Sequence, residues 1–442
     1  MTKKSKKAMG KLRGLVGGML VMGMLSFGHI TVFAQDTSVT PTREDTSSVT
    51  QTESAKPEAE SPGKTTPSTH KHPEVPTTEQ KAPAEEEKPV KWYDNIQFNG
   101  FVSGSYSHNF NEPNSSTNQV RVFDFDDQAF KVDGVELVIQ KPVSEIGDAG
   151  FRVDAMAGSS IPRNTSSLGL FWNDVNSNGV KDAGEGEDFD VHQAFASYIA
   201  DVGNGLRFDI GKFITNNGAE VIPGYDVYND NATSSFLFGY AIPFTHTGVR
   251  ATYAFNDKVM AMAMVTNGWD NVKDNNRAKS FGGQLMFTPS SNFTLYLNYM
   301  GGPERNNNNN DVRNLFDVVA IWKPVNWLTL TGNYDNGSDE NAIAQGRDAR
   351  WDGTALYAKF DVSKKWALTL RHEWFNDRNG FRTGTTQKLN EWTFTPTYKV
   401  NDNFLLRADL RFDHSNQAVF EKRGSVFVNN QGTLFLNAIY LF

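Results

Sequence analysis

The sequence contains no cysteine in its 442 residues. This absence excludes a disulfide framework, a thiol nucleophile, thiolate metal sites and a lipid-bearing N-terminal cysteine. A Walker-type phosphate loop and a dinucleotide-binding glycine motif are missing too, so nothing points to nucleotide chemistry. After residue 34 no apolar run approaches the roughly 20 residues that a membrane-spanning helix needs. These absences leave a soluble protein or a membrane protein that crosses the bilayer with strands.

Basic charge is concentrated in residues 1–34, where it predicts a signal peptide. Basic residues at 3–13 precede an apolar stretch at 15–27, and Val32 and Ala34 stand at the −3 and −1 positions of a cleavage site. We expect Sec export with cleavage after Ala34; a retained anchor is disfavoured because the apolar stretch is short for a bilayer. Removal of the six basic residues changes the net charge from −8 to −14. A chain with this negative net charge is a poor candidate for binding nucleic acid.

Residues 35–91 are rich in Thr, Ser, Pro, Glu and Lys and almost lack large apolar side chains. Such a segment buries too little apolar surface to offset its ordering entropy. We therefore expect a disordered tail that stays in the periplasm after export. Tethering of this tail to cell-wall polymer is an open alternative.

Residues 92–442 have the composition and the apolar alternation that are typical of a transmembrane barrel. The mean hydropathy is −0.50 although the chain carries 32 Phe, 13 Tyr and 9 Trp. Apolar residues recur at every second position, which is the period of a strand. In 403–413 one face is apolar and the other nearly all charged, the two faces being Phe404, Leu406, Ala408, Leu410 and Phe412 against Leu405, Arg407, Asp409, Arg411 and Asp413. A wall between lipid and water requires this alternation.

The connections between these runs alternate in length. Short links lie at 141–150, 200–205, 255–258, 288–292, 323–326, 361–365 and 400–403. Longer polar connections lie between them, such as 267–279, 301–313 and 335–350. Seven short periplasmic turns and eight long extracellular loops predict an all-β fold, a transmembrane antiparallel up-and-down β-barrel of about 16 strands. A barrel of this size is wide enough for an aqueous channel, and the even count puts both termini in the periplasm.

The last strand carries a pattern typical of a signal for assembly into the outer membrane. Apolar residues alternate from Leu434 onward, and the chain ends on Phe442 with Tyr440 two residues before it. This ending resembles the C-terminal signal that the barrel-assembly machinery recognises. We therefore expect that machinery to insert the protein into the lipid of the outer membrane.

Two parts of the chain resemble a known family. The stretch NQVRVFDFDDQAFKVDGVELVIQKP at 118–142, followed by AGFRVDAMAG at 149–158, is similar to the start of the OmpL-like β-barrel porins. The most distinctive part is SFLFGYAIPFTHTGVR at 235–250. The resemblance covers roughly residues 95–442, and it implies an outer-membrane porin-like barrel whose solutes are poorly defined.

Strand parity assigns a set of charged residues to the barrel interior, because Arg or Lys facing mid-bilayer lipid costs about 2–4 kcal/mol. The expected pore-lining residues are Arg152, Asp154, Arg207, Asp209, Arg250, Asp317, Arg371, Glu373, Glu391, Arg407, Asp409 and Arg411. They form either a selectivity lining or a cross-strand lattice of ion pairs that stiffens the wall. Since both signs occur in similar number, we expect no strong preference for anions or cations from the wall alone.

The connection 216–244 is too aromatic for a solvated surface loop. Its candidate constriction residues are Tyr225, Tyr228, Phe236, Phe238 and Tyr240. We expect the segment to fold into the mouth or lumen and to narrow the pore; the alternative is packing on the barrel rim.

Residues 174–185 match the twelve-residue calcium loop of EF-hands. Its candidate metal ligands are Asp174, Asn176, Asn178, Asp182, Glu185 and the carbonyl of Val180, with Gly179 at the sharp turn. Strands flank the loop instead of helices, so we expect a structural Ca²⁺ site on the extracellular side. The alternative is an acidic loop that is merely solvated.

The sequence therefore predicts a porin for passive diffusion of small hydrophilic solutes or ions. A second hypothesis is a surface adhesin or wall-anchoring barrel, which would be plugged. An enzyme is not expected, because His192, His246 and His372 belong to no local catalytic motif. Analogy with porins of this size implies a homotrimer.

Overall fold

Eighteen strands form in the part of the chain that the computed structural model describes, namely Tyr93 and residues 95–159 and 189–442. They are β1 Gln97–Asn109, β2 Phe130–Lys141, β3 Ala149–Ala157, β4 Phe189–Ala200, β5 Leu206–Ile214, β6 Thr245–Asn256, β7 Val259–Thr266, β8 Ser280–Ser290, β9 Phe293–Pro303, β10 Val312–Val325, β11 Leu328–Ala344, β12 Arg347–Asp361, β13 Trp366–Asp377, β14 Gln387–Lys399, β15 Phe404–Ser415, β16 Phe420–Lys422, β17 Val426–Val428 and β18 Asn430–Leu441.

Sixteen of these described strands close into one antiparallel barrel, which confirms the predicted fold. Each barrel strand pairs with its neighbour along the chain, and β1 closes the ring by pairing with β18, Phe101 opposite Leu441. β16 and β17 form a separate hairpin within the connection from β15 to β18. Full closure leaves no open sheet edge in the wall, as a bilayer requires.

The two faces of the wall follow the sequence period. In β15 the residues Arg407, Asp409 and Arg411 are buried in the interior, whereas Leu406 and Phe412 are exposed on the outside. The same alternation runs through β18, where Leu436 and Tyr440 face outward. None of the helices among the described residues is long and apolar enough to span a membrane.

The turns match the prediction at one end of the barrel and depart from it once at the other. All seven short links join an even-numbered strand to the next strand through β15. The predicted loop 335–350 is wrong, because β11 runs to Ala344 and β12 starts at Arg347. Beyond the bilayer both faces of a strand meet water, so a strand there can be polar on both sides and loses its apolar alternation.

Candidate functional site: a loop inside the barrel

The connection from β5 to β6 starts against the wall at β10 and β11. Gly218 N donates to Asp317 Oδ1 at 3.1 Å, and Ala219 N donates to Asn333 Oδ1 at 3.0 Å. Gly218 has a φ of 87°, and a Cβ there would lie 2.6 Å from Ile242 Cδ1. Glycine is therefore required where the segment leaves the wall.

The segment then crosses to the opposite wall. Tyr225 N donates to Glu136 Oε2 of β2 at 2.8 Å, only seven residues after Gly218. β2 and β10 are eight strands apart in the ring of sixteen, so they face each other across the lumen. Seven extended residues reach about 25 Å at most, so only a short length of chain makes this crossing.

The return path is fixed by inward-facing carboxylates. Thr233 donates from both N and Oγ1 to Asp409 Oδ2, at 2.7 and 2.8 Å. Phe236 N and Leu237 N donate to the two carboxylate oxygens of Glu373, at 2.7 and 3.2 Å. These N–H groups open a short helical turn and have no partner within it, so the carboxylate satisfies them.

That turn, Leu237–Ala241, forms one turn of π-helix inside an apolar cluster. Trp351 Nε1 donates to Ala241 O at 3.0 Å, and the ring of Tyr240 stacks on Phe375 with the centroids 6.2 Å apart. Phe238 is 2% exposed. The barrel interior is thus filled with aromatic side chains at this point.

The central ion cluster is built on Arg371, which is fully buried. Its guanidinium donates to Glu220 Oε1 at 2.8 Å, to Thr233 O at 2.6 Å and to Glu391 Oε2 at 3.1 Å. Tyr357 Oη donates to the same Glu220 oxygen at 3.1 Å. Buried charges require such partners, because desolvation without them costs several kcal/mol per ion.

All twelve charged residues predicted from strand parity are buried on the inner side of the wall. Eight of them are at most 2% exposed, namely Asp154, Asp209, Asp317, Arg371, Glu373, Glu391, Asp409 and Arg411. The other four, which are 5–8% exposed, are Arg152, Arg207, Arg250 and Arg407. Their contacts are with each other, with other polar residues of the wall and with the crossing segment, as in the lattice interpretation. A role in selecting solutes stays a prediction.

The five aromatic residues predicted for the constriction all contact the interior. Phe236 and Phe238 belong to the apolar cluster. Gln140 Nε2 donates to Tyr225 Oη at 2.6 Å, and the Arg407 guanidinium lies 5.9 Å from the Tyr228 ring centroid. The segment therefore lies in the lumen, and the rim alternative does not fit these contacts.

Sequence reasoning missed several partners of the wall. The carboxylates Glu220 and Asp226 come from the crossing segment, where alternation gives no signal, and Asp226 pairs with Arg152 at 2.6 Å. Lys323 shares the parity of the predicted lining residue Asp317 on β10, and Lys399 shares that of Glu391 on β14. Parity could have found these two lysines, whereas Lys359 lies on β12, where no lining residue is predicted.

The three histidines of β4, β6 and β13 have separate environments. His246 Nε2 and Nδ1 lie 3.1 Å from Thr215 Oγ1 and Gly268 O, as in a structural hydrogen-bond network. His372 stacks on Trp392 with the centroids 3.9 Å apart.

The candidate calcium loop, the tail at 35–91 and the signal peptide lie outside the described residues.

Glu304, at the start of the extracellular β9–β10 connection, predicts a pH-dependent stability. It is 7% exposed, and it accepts from Trp269 N at 2.7 Å and from Ser280 Oγ at 2.5 Å. Burial raises the pKa of Glu304 from 4.5 to about 7. Because the folded state holds this proton more tightly, its stabilisation is full below pH 4.5 and is lost as the pH rises through 7.

We expect Tm, measured by circular dichroism in detergent, to be higher at pH 5 than at pH 8. The Glu304 contribution to this difference is about 3 kcal/mol at most, and Glu304→Gln removes it. Glu145→Gln, in an exposed periplasmic turn, is the control. An equal pH dependence in Glu304→Gln and the unmodified protein would contradict the assignment.

The family follows from a comparison of the sequence with family models. The model described as "Putative beta-barrel porin-2, OmpL-like" matches residues 95–442. The chain belongs to this family. It is an outer-membrane porin, a water-filled channel for passive diffusion of small hydrophilic solutes, and the adhesin alternative has no support.

Solved structures share the fold of this porin at low identity. The anion-selective porin from Comamonas acidovorans is 11% identical, with a TM-score of 0.52 over 78% of this chain and 99% of that one. OprB of Pseudomonas putida is 12% identical, with a TM-score of 0.52 over 79% and 94%. OmpT of Vibrio cholerae in its trimer form is 12% identical, with a TM-score of 0.51 over 78% and 99%. No curated protein sequence matches the chain.

Proposed function

We propose that the segment 216–244 is the constriction of this porin and that solutes pass beside it. The proposal rests on one observation, the crossing from Gly218 at β10 to Tyr225 at β2 on the opposite wall. Cavities of 410 Å³ and 600 Å³ flank the crossing, the first against β10–β15 and the second mostly against β2–β6. Each cavity has the volume to hold several water molecules.

The experiment is planar-bilayer conductance of the refolded mature protein, residues 35–442. Stable conductance steps smaller than those of an unobstructed barrel of this size support the proposal. A folded barrel that never conducts would contradict it. No enzymatic role is part of the proposal.

The twelve inward charges are proposed to act mainly as the frame that holds this constriction. Six are basic and six acidic, and most have a partner of opposite sign or a loop group within reach. Their fields therefore cancel at a distance. Selectivity then depends on charged groups that lack such partners.

A calcium ion is proposed for the loop 174–185, held by oxygens of Asp174, Asn176, Asn178, Val180, Asp182 and Glu185. Ligands at alternate positions around a central glycine suit this hard cation. We expect 5 mM CaCl₂, about five times the dissociation constant of the weakest extracellular sites, to raise Tm relative to EGTA. The double variant Asp174→Asn with Glu185→Gln should abolish the shift in Tm. Asp188→Asn, which lies outside the twelve-residue loop, should keep it. Equal shifts in the unmodified protein and both variants would contradict the site.

A homotrimer is proposed as the assembly, in outer-membrane lipid and after insertion by the barrel-assembly machinery. The support is a groove of 910 Å³ on the outer face, where Gly104, Ala408 and Ala438 lie between Tyr106 and Tyr398. Small residues beside large ones let a second copy approach closely. Ala438→Trp should yield monomers in sedimentation experiments in detergent; persistent trimers would contradict this contact.

A further inference from the structure

The 410 Å³ cavity between the crossing segment and strands β10–β15 is lined by an excess of cations. Its loop side consists of residues 219–221 and 227–231. Its wall side brings together Lys323 of β10, Lys359 of β12, Lys399 of β14 and Arg407 of β15. All four residues lie near the periplasmic ends of their strands. Lys323 and Arg407 are buried, Lys359 is partly buried and Lys399 is exposed. The cavity is thus a basic chamber on the periplasmic side of the crossing.

The carboxylates in this chamber do not neutralise it. Glu220 is already held by Arg371, a residue behind the lining. Asp230 pairs with Lys359 at 2.6 Å. The remaining carboxylate of the lining is Asp361, which is exposed beside the periplasmic turn.

Three of the four cations have no carboxylate within 4.0 Å among the described residues, and only Lys359 has one. Among the residues that the structure describes, Lys323 and Lys399 have no side-chain hydrogen bond and no ion pair within 4.0 Å. Arg407 donates to neutral oxygens, namely Asn229 O at 2.5 Å and Asn437 Oδ1 at 2.8 Å. Lys323 is only 6% exposed. A cation on the wall of this chamber that has no ion-pair partner gains free energy from an anion that enters the chamber.

The neutral lining suits an oxyanion. Threonine hydroxyls at 329, 331, 369 and 397 line the same wall and can donate to carboxylate or phosphate oxygens. The volume lies in the range of small-molecule sites, about 300–1,000 Å³. Across the crossing segment, the 600 Å³ cavity has four carboxylates, those of Glu136, Asp154, Asp226 and Asp402, against three cations. One of these cations is Lys399, which lines both cavities.

We propose that this chamber is a binding site for small solutes that carry carboxylate or phosphate groups, held by Lys323 and Lys399 with Arg407 behind them. Lys359 joins them when Asp230 releases it. This inference rests on the proposed function, because the crossing segment forms one wall of the chamber. It adds a preference for anions that the other eleven inward wall charges do not supply.

The test uses citrate and inorganic phosphate as blockers of the refolded protein in planar bilayers, added on both sides in KCl. We expect Lys323→Gln with Lys399→Gln to raise the half-blocking citrate concentration about tenfold, equivalent to 1.4 kcal/mol. The same variant should move the reversal potential in a KCl gradient toward cation preference. Asp230→Asn frees Lys359, so it should lower the half-blocking concentration.

Lys388→Gln is the matched control, because Lys388 is at the other end of β14 and on its outer face. If the double variant and Asp230→Asn both behave like Lys388→Gln, the site is wrong. Block by citrate alone, or by phosphate alone, identifies which oxyanion the site takes, and block by neither overturns the proposal. Equilibrium dialysis with labelled citrate separates the two proposals: binding without conductance contradicts the open constriction and keeps the anion site.

Discussion

Deletion of residues 226–238 is expected to raise the single-channel conductance of the refolded porin several-fold. The deletion removes the returning half of the segment, including Thr233 and Phe236, whose backbone N–H groups hold it to Asp409 and Glu373. It also removes Leu237 and Phe238 from the apolar cluster inside the barrel. A sixteen-stranded wall is wide enough for an aqueous channel once its interior is cleared.

The measurement is single-channel recording in 1 M KCl, which gives large current steps. The Debye length at this salt concentration is about 3 Å, so fixed charges on the wall are largely screened. Deletion of 306–309, four asparagines of the β9–β10 loop, is the control for shortening an extracellular connection. We expect that control to keep the original step size. If the 226–238 deletion also keeps it in a folded barrel, the segment does not narrow the pore.

Substitution of Arg371 by Met is expected to cost about 3–5 kcal/mol of stability, the largest effect of any single change proposed for this barrel. The guanidinium compensates Glu220 and Glu391 in a place where all three are at most 4% exposed. Met fills similar volume but leaves Glu220 without its cation, and Glu391 keeps only Arg411 at 3.7 Å. The crossing segment loses its anchor at Thr233 O as well.

The free energy of unfolding is measured by urea titration in lipid vesicles. Arg378→Met is the matched control, since Arg378 pairs with Asp352 at 2.7 Å just beyond the end of the same strand but has a side chain that is 54% exposed. An exposed pair of this kind contributes under about 1 kcal/mol. Combining Arg371→Met with Glu391→Gln should recover part of the loss; equal costs for Arg371→Met and Arg378→Met would refute the central role of Arg371.

Local sequence patterns determine the regular part of this fold. Alternation of period two assigns residues such as Leu410 and Arg411 to opposite faces without knowledge of any neighbour. Links such as 323–326 and 400–403 carry the proline, asparagine and aspartate residues that turns favour. The strand count and the inward charged residues follow from these two signals.

The prediction failed where the environment changes along a single strand. Residues 335–350 continue β11 and β12 beyond the bilayer, where lipid no longer selects one apolar face. Their Asn, Asp and Gly content is then typical of a loop by sequence and compatible with a strand by structure. The cross-strand pairing, which runs from Asp335 opposite Gly353 to Asp339 opposite Ala349, distinguishes a strand from a loop here.

The sequence by itself determined a barrel of sixteen strands, its inner and outer faces and an unusually aromatic connection between β5 and β6. Tertiary structure alone decided what fills the interior: closure brings β2 opposite β10, so the crossing segment can span from Asp317 to Glu136. It also decided which charges are neutralised, since Arg371 meets Glu220 from 151 positions away whereas Lys323 meets no carboxylate partner among the described residues. These pairings form only when the ring of strands is closed. The periodicity of the sequence does not show which residues face each other across the lumen.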